Sequence, residues 1–202
     1  MFTIWGRLNS HNVKKVVWAA VEAGLEWERH DIGGQFGYTP EYLAMNPNRL
    51  VPTIVDADGF TLWESNAILR YIADRHARHL WSGDTQARAL TDRWMDWQIT
   101  FAEAQRDAFI QLVRKPEAER DQTKVDKGAE DTSKLMAVLD EALSRQEWLS
   151  GKDFGIGDIP MGAYTHTWFT LGLNRIEAPH VRAWYERLKA RPGFEYVTIP
   201  LT

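Results

Sequence analysis

The stretch that decides the fold runs from residue 46 to residue 72 and reads NPNRLVPTIVDADGFTLWESNAILRYI. Two short apolar runs, residues 53–56 and 60–63, flank the dipeptide Asp58-Gly59. This order predicts a β-hairpin, because glycine tolerates the positive φ that a tight turn requires. A helix is expected to begin at Glu64, with the apolar side chains on one face: Ile68, Leu69 and Ile72.

Upstream of this stretch the pattern predicts a strand, a helix and a second strand. Phe2 and Ile4 alternate with other residues, and apolar residues then recur at helical spacing over residues 13–21. Gly24 is expected to end that helix, residues 26–31 form a second strand candidate, and residues 32–40 are expected to be a loop. A βαβ unit implies a parallel strand pair and a hairpin implies an antiparallel one, so the predicted sheet is mixed.

Downstream the pattern changes to helices only. Apolar residues spaced by threes and fours predict two long helices, over residues 90–112 and 125–143, separated by a charged loop at residues 114–122. Two further helices are expected to start near Ile156 and near Pro179. The chain is therefore predicted to form an α/β domain over residues 1–78, a linker over 79–85 and an all-α domain over 86–202.

The composition excludes several kinds of chemistry. The 202 residues suffice for two small domains, and they include ten tryptophans but no cysteine. Without cysteine the protein has no disulfides, no thiolate metal sites and no protein thiol to act as a nucleophile.

The net charge and the lack of long apolar runs limit the kinds of binding partner that we expect. The net charge is −4 and the pI about 5.9, which argues against a nucleic-acid partner. The sequence has no apolar run long enough for a transmembrane helix and no visible signal peptide. We therefore expect a cytoplasmic protein with no membrane partner.

Three short motifs in the predicted α/β domain could carry chemistry, and each also has a structural interpretation. Val51-Pro52 is either an ordinary trans proline at a strand start or, if cis, a backbone edge for an extended peptide. Glu64-Ser65 is either a helix cap or an anion site at a helix N-terminus. Ser10 and Asn12 are either caps or ligand-facing groups at the carboxyl end of a strand.

The motifs around these residues resemble those of the cytosolic glutathione transferases, of the bacterial serine/asparagine type that does not use cysteine. The most specific are RLVPT at residues 49–53 and LWESNAILRY at residues 62–71, with weaker support from residues 93–97 and from residues 184–188 with 191–192. The resemblance covers nearly the whole chain. It implies a thioredoxin-like N-terminal domain, a helical C-terminal domain, a cis bond at Pro52 and a homodimer.

The resemblance also implies roles for particular residues in binding glutathione as a cosubstrate. The backbone of Val51, before Pro52, would pair with the cysteinyl part. Glu64 and Ser65 would hold the amine and the carboxylate of the γ-glutamyl end. Gln35 would reach the glycyl end. No metal is expected.

The catalytic position in this family carries tyrosine, serine or cysteine near the end of the first strand. Tyr38 lies well outside that segment, whereas Ser10 and Asn12 match the serine/asparagine type. A hydroxyl or amide donor to the glutathione sulfur would favour the thiolate over the thiol. Lowering a thiol pKa by about two units requires about 2.7 kcal/mol. Which of the two residues dominates stays open.

Side chains of the helical half suggest further expectations. A pocket for the second substrate, a small apolar electrophile, is predicted from Trp97, Phe101, Arg106 and Trp168. His166 lies among aromatic residues and is expected to pack. His76 and His79 show no obvious carboxylate partner, and a metal site there is not expected. Where the family carries Ser or Thr at a helix cap before Asp158, this chain has Gly155, which is expected to cost a few tenths of a kcal/mol.

The resulting prediction is a glutathione transferase that conjugates glutathione to an apolar electrophile, as in detoxification. Two alternatives remain. The same site could reduce disulfides or peroxides with glutathione, which requires no protein thiol. The chain could also be a non-catalytic binding module, since one fold supports many functions. The presence of both Glu64 and Ser65 favours the enzyme.

Overall fold

The computed structural model describes residues Met1–Thr202. The chain divides into two compact units. The first contains Met1–Gly83 together with Arg191–Leu201, and the second contains Asp84–Ala190 with Thr202. None of the helices combines the length and hydropathy needed to cross a bilayer.

The first unit is built on a four-stranded sheet of β1 (Phe2–Trp5), β2 (Trp27–His30), β3 (Thr53–Val55) and β4 (Thr61–Trp63), in the spatial order β2-β1-β3-β4. Strand β1 pairs in parallel with β2 and antiparallel with β3, and β3 pairs antiparallel with β4. The predicted mixed sheet and hairpin are therefore confirmed. The elements are β1 Phe2–Trp5, α1 His11–Glu22, β2 Trp27–His30, α2 Pro40–Met45, β3 Thr53–Val55, β4 Thr61–Trp63 and α3 Ser65–Arg75.

Apolar faces explain how these elements pack. Ile4 and Ile54 in the centre of the sheet are fully buried, as are Val16 on α1 and Ile68 on α3. Gly24, predicted to end α1, has φ of +64° just after the helix. The core of this unit thus follows from the periodicity of the sequence.

Helix α2 was not predicted. The loop expected at residues 32–40 contains a 3₁₀ turn at Gly34–Phe36, and α2 then begins at Pro40. Thr39 caps this helix, because its hydroxyl accepts a hydrogen bond from the Tyr42 N–H at 3.2 Å. With only six residues, α2 is too short for its periodicity to be recognised, but the Thr-Pro pair was a local signal.

The C-terminal segment also differs from the prediction, which placed residues 191–202 with the helical domain. Arg191–Leu201 belongs to the first unit. Arg191 pairs with Glu22 at the end of α1. Trp18 meets Phe194 edge-on with ring centroids 5.4 Å apart. A Cβ on Gly193 would lie 2.2 Å from Trp18, so glycine is required for this close approach.

The second unit contains four helices, as predicted, in positions close to those expected. Between α4 (Thr85–Phe109) and α5 (Gln122–Leu143) the chain forms a π-helical turn at Ile110–Arg114. The helices approach closely at Gly128, where a Cβ would lie 2.6 Å from that of Ala108. The helices are α4 Thr85–Phe109, α5 Gln122–Leu143, α6 Asp158–Thr170 and α7 Pro179–Lys189.

The start of α6 compensates for the glycine at position 155. The helix begins at Asp158, two residues later than predicted. The fully buried Asp158 carboxylate accepts hydrogen bonds from the N–H groups of Leu149, Ser150 and Gly155 and from the Trp184 indole. The Ser150 hydroxyl accepts the Gly157 N–H at 3.1 Å. Donors at this helix start are thus satisfied without a hydroxyl at position 155.

A buried carboxylate joins the hairpin to the end of α3. Asp56, 5% exposed, accepts hydrogen bonds from the Tyr71 hydroxyl and from the Ala57 N–H. His76 Nε2 lies 2.7 Å from the same carboxylate, so His76 has the acidic partner that the sequence did not reveal. Burial tends to raise the pKa of Asp56, but these hydrogen bonds outweigh burial and hold its pKa below its usual range.

This arrangement predicts a pH-dependent contribution to stability. Because the pKa of Asp56 is lower in the folded state, its stabilisation is present above the unfolded-state pKa and is lost as the pH falls through the folded-state pKa. Asp56→Asn should lower the free energy of unfolding by about 1–2 kcal/mol at neutral pH. The difference from wild type should shrink below about pH 4. Chemical denaturation at several pH values measures this.

The matched control is Asp58→Asn, two residues further along the same hairpin. Asp58 is 55% exposed and lies 3.5 Å from Arg75, so its replacement should change stability little at any pH. A deficit of Asp56→Asn that stays constant from neutral to acidic pH would contradict the assignment.

Candidate functional site

A small cavity of about 80 Å³ lies in the first unit, beside the first turns of α1 and α3. Five of the seven residues that the sequence singled out as catalytic or glutathione-binding line it, namely Asn12, Val51, Pro52, Glu64 and Ser65. Three further lining residues were not predicted: Asn46, Asn48 and Leu50. The structure thus brings most of the proposed residues together around one cavity.

The loop before β3 forms one wall of the cavity. The Val51-Pro52 bond is cis, as the family resemblance implied. The backbone of Val51 makes no hydrogen bond within the chain, so its N–H and C=O are available to an extended ligand.

Buried polar side chains hold that loop in place. Asn46 donates hydrogen bonds to the Leu50 carbonyl at 3.0 Å and to the Thr53 hydroxyl at 3.1 Å. The Tyr42 hydroxyl also contacts both Leu50 and Thr53. Sequence reasoning missed Asn46 and Tyr42, because their partners are set by how α2 packs. The result is a loop with little freedom to move at the cavity wall.

The start of α3 forms the opposite wall. Glu64, the N-cap residue, has φ of +73°, a conformation that non-glycine residues rarely adopt, and its side chain makes no capping bond. The start of α3 carries the partial positive charge of a helix N-terminus, which favours an anion there. Ser65 is buried, and its hydroxyl donates to Asn12 Oδ1 at 3.3 Å.

Ser10 and Asn12 both lie at the start of α1, but only Asn12 lines the cavity. Asn12 Oδ1 accepts from Ser65, so the amide NH₂ of Asn12 remains able to donate. Ser10 is the N-cap residue of α1, yet its side chain makes no capping hydrogen bond. The structural interpretation of Ser10 as a hydroxyl cap is therefore not supported.

Gln35 lies apart from this group. It is exposed in the 3₁₀ turn Gly34–Phe36 and is not among the cavity residues. Its link to the site was carried by the resemblance alone.

The four side chains predicted to form a second-substrate pocket in the helical half lie in different settings, and that pocket stays a prediction. Phe101 is fully buried and Trp168 is 1% exposed, so both belong to the core of the second unit. The Trp168 indole donates to the Thr132 hydroxyl at 3.2 Å. Arg106 is exposed and lies 3.5 Å from Glu103. Helical spacing identified apolar positions but did not distinguish a core face from a pocket wall.

Trp97 lies elsewhere on the second unit. It lines a groove of about 430 Å³ between α4 and α5, together with Trp94, Arg93 and Arg145. His166 contacts the Tyr185 hydroxyl at 2.7 Å and stacks on its ring, in line with the packing role expected for it.

A buried cation beside the cavity was also missed. Lys15 on α1 is 2% exposed, and its ammonium donates to Asn66 Oδ1 on α3 at 2.9 Å. Burial lowers the pKa of Lys15 to about 7, although the Glu64 carboxylate opposes this effect. The signal in the sequence was a pair of lysines, Lys14 and Lys15, within an otherwise apolar helix face.

The chemistry of the cavity suits a small zwitterionic peptide. Glu64 supplies a carboxylate for an ammonium group. Ser65 and the α3 N-terminus supply donors for a carboxylate, and Val51 supplies a free backbone edge. Asn12 supplies an amide donor for a further electron-rich atom.

Comparison with known proteins agrees with this geometry. Residues 9–75 match the family model "Glutathione S-transferase, N-terminal domain", and residues 93–192 match "Glutathione S-transferase, C-terminal domain". The chain is 40% identical to the glutathione S-transferase GstB of Escherichia coli, over the full length of both proteins. It is 30% identical to the E. coli disulfide-bond oxidoreductase YfcG, with 90% of this chain and 87% of that protein covered.

A solved structure is similar as well. The theta class glutathione S-transferase from the citrus canker pathogen Xanthomonas axonopodis pv. citri, crystallised with glutathione bound, superposes with a TM-score of 0.95. The two chains are 47% identical, with 100% of this chain and 99% of that chain covered. The resemblance and fold class inferred from the sequence are thereby confirmed.

The strained backbone at Glu64 gives a testable prediction. Both Glu64→Gly and Glu64→Ala remove the carboxylate, but only glycine adopts positive φ without steric cost. The glycine variant should therefore have a free energy of unfolding about 1 kcal/mol higher than the alanine variant. Urea denaturation of the two proteins measures the difference. An alanine variant at least as stable as the glycine variant would show that φ at this position carries no strain.

Proposed function

Because the chain belongs to the glutathione S-transferase family, we propose that its cavity binds glutathione and that the protein conjugates this cosubstrate to an apolar electrophile. The observation that carries the proposal is the grouping of Asn12, Val51, Glu64 and Ser65 around one cavity. The relative crystallised with glutathione supports the choice of ligand.

Each part of glutathione has a complementary group in this proposal. The γ-glutamyl amine faces Glu64, and the γ-glutamyl carboxylate faces Ser65 and the N-terminus of α3. The cysteinyl part runs along the backbone of Val51, before Pro52, like an added strand. Gln35 is proposed to contact the glycyl end, and only the family resemblance supports this role.

The sulfur of glutathione provides the nucleophile, since the chain contains no cysteine. Asn12 and Ser10 donate to the sulfur and favour its thiolate, and the positive end of α1 acts in the same direction. The thiolate attacks the electrophilic carbon, a carbon–sulfur bond forms, and the leaving group departs with its electron pair. The protein is proposed to act as a cytoplasmic homodimer in detoxification.

Calorimetric titration with millimolar glutathione tests the binding proposal. Wild-type protein should bind, and Glu64→Gln should weaken binding about tenfold, because a charge-assisted hydrogen bond to the ammonium becomes a neutral one. Asp58→Asn, a loss of one exposed carboxylate away from the cavity, should leave the affinity unchanged. Absence of binding by the wild type would contradict both the site and the enzyme.

The two thiolate donors are expected to differ. Asn12 lines the cavity and Ser10 does not, so Asn12→Ala should lower kcat/KM more than Ser10→Ala, by about tenfold or more relative to wild type. It should also raise the pKa seen in the pH profile of kcat/KM. Conjugation to an activated aryl chloride measures both effects. A larger loss in Ser10→Ala would assign the main role to the hydroxyl.

Reduction of disulfides with glutathione is the second candidate. The observation that favours it is the 30% identity to a relative named as a disulfide-bond oxidoreductase. In that reaction the glutathione thiolate attacks a disulfide sulfur, a new disulfide forms, and the other sulfur leaves as a thiolate. Assays of conjugation and disulfide reduction on the same preparation separate the two reactions.

The third candidate, also inferred from the sequence, is a binding module without catalytic activity. Such a protein would show no turnover in either assay. An affinity for glutathione unaltered by Glu64→Gln would also favour this alternative over the enzyme.

A further inference from the structure

Lys15 is a buried cation between the first turns of two helices. It lies on α1, one turn after Asn12, and is 2% exposed. Its ammonium donates to Asn66 Oδ1 at 2.9 Å, and Asn66 directly follows Ser65 on α3. The side chain does not line the cavity, so its influence on a ligand must pass through its neighbours.

This position is an unfavourable one for a positive charge. Removing an ammonium from water costs several kcal/mol, and an apolar residue of similar volume often stabilises a fold at least as well. The N-terminus of α3 also carries a partial positive charge, which repels a cation. The fold alone therefore gives little reason for a lysine here.

The hydrogen bond to Asn66 on α3 gives a better reason. The Glu64 carboxylate interacts favourably with the Lys15 ammonium and opposes the effect of burial on the pKa of Lys15. Glu64 and Ser65 are proposed ligand contacts. Asn66, which Lys15 binds, is the next residue along the chain. A second hydrogen bond, from Ser65 to Asn12, joins the same two helix starts.

The adjacent lysine makes a different contact. The ammonium of Lys14 is also buried, and it donates to the carbonyls of Val197 at 2.8 Å and of Ile199. Lys14 thereby fastens the C-terminal segment to α1. Two neighbouring buried lysines therefore serve two different parts of the first unit, and Lys15 is the one that reaches α3.

We propose that Lys15 is a positioning residue for glutathione: through its hydrogen bond to Asn66 it holds the first turn of α3 against α1 and so keeps Glu64 and Ser65 placed for the γ-glutamyl group. This role rests on the proposed function. It predicts that Lys15 affects the affinity for glutathione much more than the rate of the chemical step.

The test compares Lys15→Met with Lys14→Met in the full chain. Methionine has a similar length but neither charge nor donor, and the Lys14 variant removes an equally buried ammonium from the same helix. Lys15→Met should raise both the Kd and the KM for glutathione about tenfold. Its kcat should change much less, and its unfolding midpoint should not fall below that of Lys14→Met. Lys14→Met should bind glutathione within about twofold of wild type.

The outcomes separate a positioning role from a structural one. Equal losses of glutathione affinity in the two variants would overturn the proposal. So would an affinity loss in Lys15→Met whose free energy equals the fall in its free energy of unfolding. If Lys15→Met does not fold, Asn66→Ala decides, because it removes the acceptor and leaves the lysine. Weaker glutathione binding by Asn66→Ala supports the role, and unchanged binding overturns it.

The same measurements distinguish this proposal from the proposed function. Wild-type protein that binds no glutathione would contradict the function and, with it, the role of Lys15. Wild-type protein that binds glutathione, together with a folded Lys15→Met variant of unchanged affinity, would contradict the role of Lys15 alone.

Discussion

The junction between the first turns of α1 and α3 is the constraint on which the candidate site depends. Two side-chain hydrogen bonds cross it, from Ser65 to Asn12 and from Lys15 to Asn66. Because both helices begin at the cavity, the partial positive charge of each helix start lies beside the same small volume. A shift of either helix would separate the proposed amide donor on α1 from the proposed carboxylate site on α3.

The chain contains no cysteine, so the reactive thiol of the proposed reaction is not one of its own side chains. In the proposed function the thiol comes from glutathione, and its sulfur is proposed to lie beside the start of α1. Lowering a thiol pKa from about 8.5 by about two units requires about 2.7 kcal/mol of preferential binding to the thiolate. One or two hydrogen bonds to a charged sulfur, with a helix N-terminus, are sufficient for that.

Local features of the sequence predicted much of the fold and part of the site. The hairpin around Asp58-Gly59 and the helix starting after Glu64 depend on turn chemistry and periodicity, which act within a few residues. The route of the chain after Arg191, the bracing of the loop by Asn46 and the burial of Lys15 depend on contacts between segments far apart in sequence. For the same reason the helical spacing alone did not show that Phe101 and Trp168 are buried.

The central claim is that this chain binds glutathione and ionises its thiol. The most direct measurement is the ultraviolet absorbance of the thiolate in the protein–glutathione complex as a function of pH. The thiol of bound glutathione should titrate about two pH units below its value in free solution. A bound thiol that titrates at the solution value would contradict the account, even if glutathione occupies the cavity.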